Sequence, residues 1–150
     1  MSAFEAATRT NGRRAVARSA VSGPSTTLGK VQGRLSHVLA ALVLIQAVMA
    51  GHSGRVSGGP VNIEAHGIVG HVTFTVAIAS FVLALLGRVS RDRLIVAGLL
   101  LGLIFAQVGL GFVGRSSGSA VGWHVPNGVL IFGLAVYGIT RASRPLSGSS

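Results

Sequence analysis

Five histidines, three acids and no cysteine make up the reactive inventory of this 150-residue chain. The missing thiols exclude disulfides, cysteine nucleophiles, zinc ribbons and cysteine-ligated iron–sulfur clusters. Two histidines share a setting. His66 and His124 each lie about one turn inside the start of an apolar stretch, at a depth of roughly 5 Å if those stretches are helices. Imidazole nitrogens at matching depth on two helices are metal ligands in waiting. Zinc or copper usually asks for a third protein ligand. Haem iron accepts a bis-imidazole set, which makes a b-type haem on His66 and His124 the expected cofactor. His71 follows His66 by five residues, about 140° round a helix, so both rings cannot reach one metal. It falls in a layer with Gln46 and Gln107, either a hydrogen-bonded core or the wall of a pocket. His37 and His52 read as interfacial groups near the two ends of one stretch.

The elements that position these groups follow from composition. Hydrophobic residues make up 49% and charged residues 11% of the chain, against roughly 25% charged in soluble domains. Four apolar runs, about 35–53, 63–87, 94–114 and 121–140, are divided by bases. Each is long enough to cross a hydrocarbon layer of roughly 30 Å as a helix. None alternates with the period of two that a strand requires. The expected fold class is all-α, an integral membrane four-helix bundle over 35–140. A basic, disordered cytoplasmic tail over 1–34 precedes it and a short cytoplasmic tail over 141–150 follows.

Thirteen bases against three acids (Glu5, Glu64 and Asp92) give a net charge of +10, which at first suggests nucleic acid. Their positions argue otherwise. With the amino terminus inside, eleven of the thirteen fall on the cytoplasmic side, and only Arg55 and Arg115 lie outside. That bias is a topology signal. It predicts a multi-pass membrane protein with both termini on the cytoplasmic side, touching lipid and not nucleic acid. Trp123 then sits at the outer interface and Tyr137 towards the inner one.

Polar residues near the two histidines complete the expected site. Arg55 and Arg115, in the two outer loops, are placed to pair with carboxylates such as haem propionates. Asn127, one turn after His124, is placed to orient a ligand or close a polar pocket. Glu64 is either an acid/base group or an interfacial charge. Gly98, Gly102, Ala106 and Gly109 form a small-residue ridge on the third run, suited to close helix packing or to making room for a flat cofactor.

Four motifs in order carry a family resemblance. Gln46-Ala47-Val48-Met49-Ala50-Gly51, Glu64-Ala65-His66-Gly67-Ile68-Val69-Gly70, Gln107-Val108-Gly109-Leu110-Gly111 and Trp123-His124-Val125-Pro126-Asn127-Gly128 together resemble one half of the haem A synthase fold. They are closer still to a family of small four-helix bacterial membrane proteins sharing that half-fold. The resemblance covers about residues 35–140 and implies haem ligation by His66 and His124 on the outer side, with Glu64 nearest the synthase's catalytic glutamate. The chain departs from the synthase in having one half, in Gly67 where arginine usually follows the histidine, and in lacking the external cysteine pair.

The leading expectation is a bis-histidine haem protein serving electron transfer or haem binding for a partner, and a carrier rather than an enzyme, since both axial positions are taken. Two alternatives remain: a cofactor-free accessory subunit of a larger membrane complex, and a haem A synthase-like oxidase. A membrane protein partner or a second copy of the chain is compatible with each.

Overall fold

The computed structural model describes residues 25–51 and 63–143. They form four helices: α1 (Ser25–Gly51), α2 (Ile63–Leu86), α3 (Arg91–Val113) and α4 (Gly118–Ala142). Each is long and apolar enough to span a membrane. α1 and α3 each pack against both α2 and α4, so the helices form a four-membered ring with α2 and α4 across one diagonal.

The starts and ends of α2, α3 and α4 fall within three residues of the apolar runs. α1 differs. Residues 25–34, expected to belong to a tail, are helical. Their sequence is too polar to stand out by hydropathy, and packing makes up the difference. Gln32 and Gly33 are buried, and Arg93 of α3 donates to Gly29 O at 2.6 Å and to Gln32 Oε1 at 2.5 Å. Gln32 Nε2 in turn donates to Ser80 Oγ of α2 at 3.3 Å. Three helices are thereby tied at this end of the bundle. The expected tail segments 1–24 and 144–150 lie outside the described residues.

The core runs along the axis through Leu39, Val43, Leu100, Ile104 and Ile131, with Ala77 and Ala135 letting backbones close in. Ser36 and Thr73 are buried, and each returns its hydroxyl proton to a carbonyl one turn back in its own helix. The outward surface is as apolar as the core: Phe105 is 68% exposed, Val129 67% and Leu86 65%. Helices that are hydrophobic all round belong inside a larger protein or in lipid.

The α2–α3 turn is tight. Val89 N donates to Ala84 O and Arg88 N to Leu85 O, the paired bonds of a Schellman closure. Arg88 takes the left-handed conformation there, with φ 47°. Gly87 beside it is obligatory on space alone. An added Cβ would stand 2.8 Å from Leu83 O and 3.1 Å from the Leu28 Cβ of α1.

Candidate functional site: two histidines across the bundle diagonal

α2 and α4 run in the same direction, and each brings a histidine to the same end of the ring. The His66 and His124 rings face each other across the diagonal, with centroids 6.2 Å apart and planes inclined by 50°. What sets them apart is their ring nitrogens. His37 and His71 pair Nδ1 with a carbonyl four residues back, Gly33 O at 3.0 Å and Gly67 O at 2.7 Å. His66 and His124 do not. The Nδ1 of each is buried without a hydrogen-bond partner among the described residues. A buried polar atom left unpaired costs about 1–3 kcal/mol, so each Nδ1 is a candidate ligand atom.

Each histidine is held from behind in the same way. Gln46 of α1 donates its amide to His66 O at 3.0 Å, and Gln107 of α3 donates to His124 O at 3.0 Å. A glycine one turn after each histidine leaves room for the crossing amide. A Cβ on Gly70 would lie 3.1 Å from Gln46 Nε2, and one on Gly128 3.4 Å from Gln107 Nε2. The two hairpins are thus structural repeats. Aligning Gln46 with Gln107 also aligns core Leu39 with Leu100 and Val43 with Ile104. Aligning His66 with His124 aligns Gly70 with Gly128 and core Ala77 with Ala135. Gln32 falls on Arg93, and those two meet at the far end of the bundle. Equivalent residues therefore face each other at both ends of one approximate two-fold axis.

The donor set can be tested against the group it resembles. A metal bonded at about 2 Å to one nitrogen of each ring, roughly in line, sets the ring centroids about 6 Å apart. The observed spacing is 6.2 Å. Among the described residues no group of three or more His, Cys, Asp or Glu could hold a metal ion, and the pair offers two nitrogens. Porphyrin iron asks no more of the protein, because the macrocycle supplies its other four nitrogens.

The remaining expected site residues divide. Asn127 faces inward, but its amide is spent on Leu103 O at 3.0 Å and Gln107 Oε1 at 2.7 Å. It orients Gln107, and through it the turn that carries His124. Arg115 is exposed and lies over the Phe112 ring, 5.5 Å from its centroid. Glu64 is exposed at the start of α2, two residues from His66 and so turned about 200° from it. Arg55 and His52 lie outside the described residues. The expected layer of His71, Gln46 and Gln107 separates: the glutamines point into the bundle, while His71 is exposed on its flank. The ridge on α3 also turns outward. Gly98 packs near Phe81, whereas Gly102 and Gly109 have nothing within 4 Å of an added Cβ.

Sequence reading passed over the role of Gln46 and Gln107 as carbonyl donors. The available signal was the repeated pattern of a glutamine, then a histidine in the next helix with glycine four residues later. Compared with protein-family models, curated proteins and solved structures, the chain matches none of them.

Proposed function

We propose that this chain is a multi-pass protein of the bacterial cytoplasmic membrane that holds one b-type haem between His66 and His124, for electron transfer or on behalf of a membrane partner. The observation that carries the reading is the pair of imidazole rings with centroids 6.2 Å apart, each with a buried Nδ1 that has no partner among the described residues. Haem bound there supplies a one-electron couple. His66 and His124 would hold it, with Gln46 and Gln107 fixing the turns that carry them. The resemblance of the four motifs to half of the haem A synthase fold supports the same ligand pair.

Placement in the membrane follows from charge. Arg88, Arg91, Arg93 and Arg141 lie at the end of the bundle opposite the histidines, and Arg115 lies at the histidine end. Cytoplasmic loops collect bases, so the histidine end faces outward and both termini lie inside. Arg115 at that end would be available to pair with a carboxylate such as a haem propionate. Purified protein from cells supplied with ample haem is expected to show a b-type band in its reduced-minus-oxidised spectrum, and His124→Ala to abolish it. Absence of the band from the wild type overturns the proposal.

One observation favours a second reading, a cofactor-free accessory subunit. Gly102, Ala106 and Gly109 form an exposed stripe on α3, open to close approach by another helix. Unchanged partner association and function in a His66→Ala/His124→Ala double variant would favour it.

A further inference from the structure

His71, like His37, lies on a helix outside the haem site. It sits about two turns into α2 on the outward flank of the bundle, in an open groove of about 360 Å³ with Ile68, Val72, Thr75 and Val76. The Phe112 ring of α3 meets it edge-on, with centroids 6.3 Å apart and planes at 80°. Arg115 over the other part of Phe112 braces that ring from the loop.

The polarity of this groove is one-sided. In the neutral His71 ring the proton is on Nδ1 and goes to Gly67 O at 2.7 Å, which leaves Nε2 with a lone pair. Nε2 makes no hydrogen bond among the described residues. Thr75, one turn on, likewise spends its hydroxyl proton on His71 O at 3.0 Å, so its oxygen faces outward as an acceptor. Both donors are consumed by the helix, and two acceptors remain in an apolar surface. At that depth in a bilayer no water satisfies them, and an ionisable side chain there marks a functional site by default.

The complement of such a surface is a molecule that arrives through the lipid, carries hydroxyl donors, and presents a flat ring to the Phe112 edge. Acyl esters and oxidised quinones offer only carbonyl acceptors and do not satisfy Nε2. We propose that His71, with Thr75 and Phe112, forms a lateral binding site for the headgroup of a lipid-soluble quinol, whose phenolic hydroxyl donates to His71 Nε2. The inference rests on the proposed membrane location and is independent of haem.

The test uses the full chain in phospholipid nanodiscs, titrated with a short-tailed benzoquinol under reducing conditions and, separately, with its oxidised quinone. Imidazole ¹⁵N resonances are followed by NMR. The quinol is expected to bind saturably, to shift the Nε2 signal that His71→Gln removes, and to bind at least ten-fold more tightly than the quinone. His71→Leu is expected to lose binding, and Phe112→Leu to weaken it several-fold in a folded bundle. The His66→Ala/His124→Ala double variant is expected to bind quinol like the wild type, which separates this site from the haem reading. Quinone binding as tight as quinol, unchanged binding in His71→Leu, or no saturable binding overturns the proposal. Binding lost only in the double variant assigns the ligand to the bundle interior and overturns it too.

Discussion

Asn127 donates to Gln107 Oε1 at 2.7 Å, and at this bond the two otherwise matching hairpins part company. The equivalent of Asn127 beside Gln46 is Val69. Gln46 Oε1 is accordingly buried without a partner, although its amide holds His66 as Gln107 holds His124. One half of the site is doubly braced and the other singly.

That asymmetry can be reversed. Asn127→Leu leaves Gln107 Oε1 unpaired and is expected to destabilise the protein by about 1–3 kcal/mol. Val69→Asn supplies the donor that Gln46 lacks and is expected to stabilise it by about 1 kcal/mol. Denaturant titration in detergent micelles, followed by circular dichroism, checks both signs. A destabilising Val69→Asn would break the proposed equivalence of the hairpins.

Space for the glutamines is set by glycine. Gly70→Leu and Gly128→Leu place side chains where the Gln46 and Gln107 amides cross. Each is expected to lower haem retention several-fold by freeing the turn that carries its histidine. Gly102→Leu, which points into open space, is the matched control and is expected to retain haem fully. Haem-to-protein ratios after purification make the comparison.

The opposite end of the bundle depends on Arg93. Arg93→Met keeps the volume of the side chain but strips Gly29 O and Gln32 Oε1 of their donor. A loss of about 1–3 kcal/mol is expected, largely from the buried glutamine left unsatisfied. Adding Gln32→Leu is expected to recover part of it, since removing both partners is cheaper than removing one. A double-mutant cycle on unfolding free energies gives the coupling.

The α2–α3 turn makes opposite demands at neighbouring residues. Gly87→Ala forces a Cβ to within 2.8 Å of Leu83 O and is expected to cost about 1–3 kcal/mol. Arg88→Gly relieves a left-handed arginine and is expected to gain about 1 kcal/mol. Thermal unfolding of the two variants should move in opposite directions.

These particulars show how far the chain could be read before it was folded. Length and hydropathy placed four helices, because a long apolar run separated by bases has few other conformations. His66 and His124 were legible as a pair, since each falls near the start of an apolar run, although α4 begins three residues before its run and so places His124 deeper along its helix than His66. Residues 25–34 were not legible as helix. Their order comes from Arg93, which is distant in sequence, and hydropathy is a local signal. Asn127 was placed near the site, but its bond to Gln107 was not legible, because that partner is on another helix. The α3 glycines were expected at helix contacts, yet Gly102 and Gly109 face outward: spacing defines a stripe without saying where it points.

The spin state of bound iron tests the central claim most directly. Electron paramagnetic resonance of the oxidised, haem-loaded protein is predicted to show low-spin iron with two imidazole ligands, a signal lost in His66→Ala and equally in His124→Ala. A wild-type protein that takes up no haem, or a low-spin signal that survives both substitutions, would contradict the account.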